Sequence, residues 1–322
     1  MRCAEFIRQA WNLTVASPKL KWFVFIPSFV AVIVFVAEIG WQVGLLSEEL
    51  GFIREHFVWS TIGTSVGFLS KHHLLGWALF LGIFVLLFEF VLQSWILATL
   101  ILSVRQKFIE PEKYLSLRQK MIEGSRHFFK LFEFHAIFSP FAFMTIVLFT
   151  GTMFRYYHGE IFSSIILPIL LVYVVLAFLV NIFTSFCPYY MVCERCGVGE
   201  SVRKSIGLVF LNFGTTMTII LVMFLVNFRI IINVLVVLGV PLGMIFLASY
   251  FATSSWLGLA MGVGVLIALV LLMFTAVLTA VVEVFSTAVW ERAFTHLRVR
   301  QKSLAMDESK IAEPDFDSLE SS

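Results

Sequence analysis

Long apolar runs, almost unbroken by charge, constrain this chain more than any other feature. They fall at about 22–43, 74–102, 134–154, 161–187, 206–251 and 256–289. At 1.5 Å per residue, each is long enough to cross about 30 Å of hydrocarbon as a helix. The other spanning solution, a β-barrel, needs short strands that alternate polar with apolar residues, and runs such as Phe80–Leu92 do not alternate. Composition points the same way. Of 322 residues 60% are hydrophobic and 14% charged, against about a quarter charged in ordinary soluble domains. A soluble chain of this make-up could not clothe its surface in solubilising charge. The expected fold class is therefore all-α, a polytopic transmembrane helix bundle, which excludes a soluble enzyme, a disordered chain and a nucleic-acid binder. The net charge of +2 implies no polyanion partner. Membrane lipids are the expected partners, with a membrane-protein partner or a second copy of the chain beside them.

The basic residues set the direction of the spans. Residues 1–21 carry Arg2, Arg8, Lys19 and Lys21, and the segment after the second run carries Arg105, Lys107, Lys113, Arg118, Lys120, Arg126 and Lys130. Arg195, Arg203 and Lys204 follow the fourth run, and Arg292, Arg298, Arg300, Lys302 and Lys310 follow the last. Only Arg54, Lys71, Arg155 and Arg229 of the 23 basic residues lie elsewhere. The positive-inside rule then gives six spans with both termini in the cytoplasm of a plasma membrane, a prokaryotic inner membrane in our reading. The first run starts at Trp22 behind a polar lead, with no small-residue cleavage site after it, so it reads as a span that stays in the membrane.

The run 206–251 strains that count, because its 46 residues would extend roughly 70 Å as one helix. Two full spans would put the tail outside and break the charge rule. One span over 206–228 followed by a re-entrant hairpin over 229–251, bent at Pro241, keeps it. The hairpin is the expectation, with its irregular backbone shielded by protein or lining a wet cavity.

Three segments read as helices on the cytoplasmic surface. In 4–16, Phe6, Ile7, Ala10 and Trp11 share a face, and Pro18 ends the helix. In 111–132, Pro111 suits a first turn, and Tyr114, Leu117, Met121, Phe128 and Leu131 recur at helical spacing with Lys and Arg opposite. A short helix from Glu200 feeds the fifth span. Ordinary packing between helices is the competing account of all three. Residues 1–302 form a single transmembrane domain in this reading, and the acidic tail 303–322 is expected to be disordered.

Ionisable groups inside spans are few. Glu89 is the deepest, about 22 Å along its helix from the outer start of the second run, with Gln93 one turn on. Glu38 and Arg229 stand towards the outer ends of their spans, and Glu283 lies near the inner end of the last. Burying such groups is expensive, so Glu89, Gln93, Arg229 and Glu38 form the candidate polar site for a proton or cation. A neutral or paired carboxyl that fixes helix packing is the bland alternative, and Glu38, Arg229 and Glu283 can also snorkel to an interface. Cys193 and Cys196 are the one metal-like or redox-like spacing, but no second pair completes a zinc site. No nucleotide-binding or hydrolase motif is present. No cofactor and no enzymatic activity are expected. In the last run Gly258, Gly262, Gly264, Ala268, Ala276 and Ala280 stand at spacings that let helices approach closely.

Residues 187–212 read Cys-Pro-Tyr-Tyr-Met-Val-Cys-Glu-Arg-Cys-Gly-Val-Gly-Glu-Ser-Val-Arg-Lys-Ser-Ile-Gly-Leu-Val-Phe-Leu-Asn. A proline near the end of a span, a Gly-containing turn, then Glu-Ser-Val-Arg-Lys-Ser leading to Asn resembles uncharacterised prokaryotic six-helix membrane families. Among them is the membrane domain fused to some glycerophosphodiester phosphodiesterases. The opening Ser-Pro-Lys-Leu-Lys-Trp-Phe-Val-Phe-Ile-Pro is similar to their entry into the first span. The resemblance implies a six-helix membrane domain without catalytic residues. Cys193 and Cys196 stand outside the shared pattern. A multi-pass membrane-organising or accessory protein is the functional expectation, with a small-solute or ion transporter using Glu89 as the alternative.

Overall fold

The computed structural model describes residues 3–49, 75–109, 116–156, 162–226 and 255–312, with positions 67, 70, 71, 228 and 239 besides. The described elements are helices. In chain order they are α1 Cys3–Val15, α2 Pro18–Glu49, α3 Leu75–Ile109, α4 Leu117–Phe138, α5 Phe143–Tyr156, α6 Leu167–Thr184, α7 Cys187–Cys193, α8 Val198–Leu211, α9 Phe213–Val226 and α10 Ser255–Ala312. A 3-10 turn at Ser139–Phe141 joins α4 to α5, and a π turn at Phe162–Ile166 leads into α6. Among the described residues four stretches are long and apolar enough to cross a membrane: Pro18–Ala37, Leu117–Met153, Ser164–Cys193 and Leu266–Gln301. Counting the bent pair α8–α9 as one broken span or re-entrant loop makes five. The hairpin expected at 229–251 lies outside the described residues.

Several expected spans are broken where the sequence removes a helical rung. The run 134–154 is not one helix, because Pro140 has no N–H to donate and ends α4. The carbonyls freed there are taken up by side chains of α6: Tyr173 Oη donates to Pro140 O, and Asn181 Nδ2 donates to Phe141 O at 2.5 Å. The run 161–187 breaks at Ser185–Phe186 ahead of Pro188, and Ser205 of α8 bridges the gap. Its Oγ accepts from Phe186 N (3.3 Å) and donates to Phe183 O (2.5 Å). The expected straight span 206–228 is corrected most sharply: α8 and α9 meet at 101°. Asn212 stands there at φ −130°, ψ 36°, and its Nδ2 turns back to Leu208 O (3.2 Å), competing with the backbone for that carbonyl.

The surface helices are also revised. α4 starts at Leu117, six residues after Pro111, because Ser116 and Gln119 form a reciprocal capping box. Its buried face is Gly124, His127, Leu131 and Phe134; of the expected stripe Leu131 is buried, Leu117, Met121 and Phe128 are half-buried, and Tyr114 lies outside the described residues. That face lies against α3: Trp95 Nε1 donates to Met121 O (3.1 Å) and Ser94 Oγ meets His135 Nδ1 at 3.0 Å. α1 buries Phe6, Ala10 and Leu13 against α10 and leaves Trp11 half-exposed. Packing between helices therefore accounts for the buried faces of α1 and α4, while Trp11, Ile122 and Phe129 remain on the outside. Residues 303–312 continue α10 as helix, Leu304, Ala305, Met306, Glu308 and Lys310 all being good helix formers, and the remainder of the acidic tail, 313–322, lies outside the described residues.

Among the described residues the buried core lies beside the basic segments. Phe186, Phe294, Leu100, Ile101, Leu131, Met191, Leu208 and Leu297 are the large, fully buried apolar side chains. They come from α3, α4, the junction of α6 with α7, α7, α8 and α10. Along the other stretch of α3, α6 and α10, Phe80, Ile83, Leu171, Val172, Leu266 and Val270 are exposed, as side chains facing lipid would be. The four basic segments meet at the packed end. Lys107 donates to Ser17 Oγ, Arg195 pairs with Glu123 (3.2 Å), and Glu194 holds both Lys204 (2.9 Å) and Arg298 (2.8 Å).

Candidate functional site

Glu38 and Glu89 belong to α2 and α3, but their side chains lie outside the described residues, as does the whole of Arg229. Gln93 is thus the one side chain of the candidate polar site that the structure describes. It is exposed, and it lines a cavity of about 440 Å³ between α2, α3, α7 and α10.

Polar side chains from four helices line that cavity. Ser28 comes from α2, Gln93 from α3, Tyr189 from α7, and Thr279, Glu283, Ser286 and Thr287 from α10. Their placement follows from helical spacing, because positions 279, 283, 286 and 287 fall on one face of α10. Ser28 Oγ donates to Glu283 Oε2 at 3.1 Å. Pro27, beside Ser28, lacks the N–H that would close a rung with Phe23, so α2 is locally open at the cavity wall. Glu283 lies nine residues before Arg292, about 14 Å along the helix, and so well inside the apolar stretch. The carboxyl described in this cavity is thus Glu283, which the sequence offers as an ionisable group near the inner end of the last span and able to snorkel. The signal that marks it is the Thr279–Glu283–Ser286–Thr287 stripe. Chemically, a carboxyl fixed by one hydroxyl can hold or pass a proton, or bridge α2 to α10.

A second buried carboxyl closes the packed end. Glu291 is 1% exposed; Thr295 Oγ1 donates to its Oε1 (3.3 Å), and Cys193 Sγ donates to its Oε2 (3.9 Å). Around it Phe186 meets Trp290 edge-on at 5.2 Å, and Phe294 packs against Phe186, Tyr189 and Tyr190. The turn after α7 runs through Arg195 at φ 59°, a left-handed position uncommon for a residue with a Cβ. Lys130 holds it by donating to Arg195 O (2.6 Å) and Cys196 O (3.2 Å).

The cysteine pair is divided between two environments. Cys193 faces Glu291, whereas Cys196 receives a hydrogen bond from Lys204 Nζ at 3.2 Å and approaches Glu194. Burial pushes the Cys196 thiol up, with the Lys204 ammonium opposing the shift. Among the described residues no group of three or more His, Cys, Asp or Glu is arranged to hold a metal. Comparison with protein-family models, with curated proteins and with solved structures finds no match to this chain.

Proposed function

We propose that this multi-pass membrane protein is a non-enzymatic, membrane-organising or accessory component of a prokaryotic inner membrane. In this reading it has six spans and both termini in the cytoplasm. The second crossing is α3, and the fifth is the bent α8–α9 pair. One observation supports the reading: among the described residues, the fully buried side chains pack together beside the basic segments, while described stretches of α3, α6 and α10 present apolar side chains outward.

The cavity under Gln93 favours one second reading, a transporter for a proton or small solute with Glu283 as its carrier group. The two readings part on Glu283→Gln. If Glu283 only bridges helices, glutamine keeps its shape and still accepts from Ser28. Thermal stability should then change by less than about 0.5 kcal/mol, and liposomes with and without the variant should show the same proton flux. Abolition of a pH-dependent flux at unchanged stability would establish transport and overturn the accessory role.

A further inference from the structure

A larger cavity, of about 1050 Å³, opens at the basic end where α1, α2, α3, α4 and α10 converge. Four cations face it, Lys19, Lys107, Lys120 and Arg292, and none of the described residues lining it is Asp or Glu. None of these four is ion-paired to a carboxylate among the described residues. Lys107 donates to Ser17 Oγ. The Arg292 guanidinium lies 3.8 Å from the centre of the Phe108 ring, which leaves its Nε buried without a partner. Ser103, 2% exposed, lines the same cavity with an unpartnered Oγ.

Each of these facts is unfavourable in an empty pocket. Like charges in partly desolvated surroundings repel, and buried hydroxyl and guanidinium groups normally have partners. A single anion with several oxygens relieves all of them, taking charge-assisted hydrogen bonds from the lysines and the guanidinium. The wall itself indicates where such an anion comes from. Lys19, Trp22 and Ile26 share one face of α2, and Trp22 and Ile26 are 69% and 60% exposed. A strip that runs from a cation through an indole to bare aliphatic surface matches a headgroup, an interface and an acyl chain in turn.

We propose that this cavity binds the phosphate group of an anionic phospholipid, with the acyl chains leaving along Trp22 and Ile26. The proposal rests on the membrane reading above and adds a defined ligand to it. A free phosphate ion would use the same groups without the apolar strip, so the test has an arm for each source.

Full-length protein in mild detergent is titrated separately with phosphatidylglycerol, phosphatidylcholine and inorganic phosphate. Retained molecules are counted by native mass spectrometry, and thermal unfolding is followed in parallel. Saturable retention of phosphatidylglycerol is expected, with at least about tenfold preference over phosphatidylcholine. The double variant Lys107→Gln, Lys120→Gln should lose roughly tenfold or more of that binding. Arg203→Gln, an exposed cation on α8 outside the cavity, should leave it unchanged. Ser103→Ala guards against misfolding of the double variant. Removing an unmatched hydroxyl should leave the lipid-free protein as stable or slightly more so, while phosphatidylglycerol binding falls several-fold. Equal retention of the two lipids overturns the proposal, as does phosphatidylglycerol binding indifferent to both cavity variants. Saturable binding of inorganic phosphate that those variants abolish, without lipid preference, overturns the lipid assignment. None of these outcomes bears on the number or direction of the spans, which site-directed labelling reads separately.

Discussion

Phe294→Ala is expected to destabilise the protein by about 3–5 kcal/mol, the range for removing a large aromatic from a packed interior. Phe294 is 1% exposed and lies against Phe186, Tyr189 and Tyr190, so its loss strips contacts from two helices at once. The rings around it come from the break at Ser185–Phe186 and from α7, which are held to α8 through Ser205 and through the Lys204–Glu194 pair. Little backbone is free to collapse into the space, which puts the cost towards the upper part of the range. Phe178→Ala is the matched control. Phe178 lies on α6, is 52% exposed, and in our reading touches lipid, so its removal should stay within about 0.5 kcal/mol. Equilibrium unfolding of both variants in detergent with denaturing surfactant measures the difference. Similar losses at the two positions would show that the packed foot is not where stability resides.

The second large effect is expected at Gly124. A Cβ there would collide with Thr99 Oγ1 and lie 3.1 Å from the Thr99 backbone nitrogen, because α4 and α3 approach closely at this point. Thr99 cannot simply turn away, since its hydroxyl donates to Trp95 O at 3.0 Å. Alanine gains about 1 kcal/mol of helix propensity over glycine, but overpacking against backbone costs typically 1–3 kcal/mol or more. Gly124→Ala should therefore destabilise by about 1–2 kcal/mol and Gly124→Leu by more. Gly207, inside α8, has nothing within 4 Å of the same ideal Cβ. There alanine should stabilise by roughly 0.5–1 kcal/mol. The opposite signs are the check: stabilisation by Gly124→Ala in the same unfolding assay would mean that α3 and α4 do not meet as closely as described. Thr99→Ala combined with Gly124→Ala should recover part of the loss, as contacting residues couple.

How much of this could be read from residues alone depends on the range of the interaction. The helical class and the bounds of α1 follow from local hydropathy and from Pro18, whereas α2 and α3 run past their apolar stretches, to Glu49 and Ile109. The meeting of the four basic segments at one end was legible too, because the positive charges alternate between loops. The breaks needed more. Pro140, Pro188 and Asn212 are visible in sequence, yet whether a span bends there depends on Tyr173, Asn181 and Ser205, which arrive from other helices to satisfy freed backbone groups. The start of α4 was legible, since Ser116 and Gln119 spell a capping box, but Pro111 offered a competing local signal. Gly124 gave no warning, because a close approach is a property of two helices. Of the expected polar site, Glu38, Glu89 and Arg229 lie outside the described side chains. Gln93 does line a cavity, but the acid described beside it is Glu283, which the spacing of Thr279, Ser286 and Thr287 on α10 would have indicated.

The central claim is a six-span bundle whose packed, basic end lies in the cytoplasm. It is tested most directly by labelling single cysteines in intact cells with a membrane-impermeant maleimide. Cys3, Cys187, Cys193 and Cys196 are first replaced by serine or alanine, provided that the background protein retains its melting temperature. Cysteine at Ser65 should label in intact cells. Cysteine at Ser303 or Ser322 should label only after the membrane is permeabilised. Labelling of Ser322→Cys from outside, with Ser65→Cys also reactive, would mean an odd number of crossings and would contradict the six-span account. Labelling of Ser303→Cys from outside together with protection of Ser65→Cys would invert the bundle and place the basic cavity on the wrong side of the membrane.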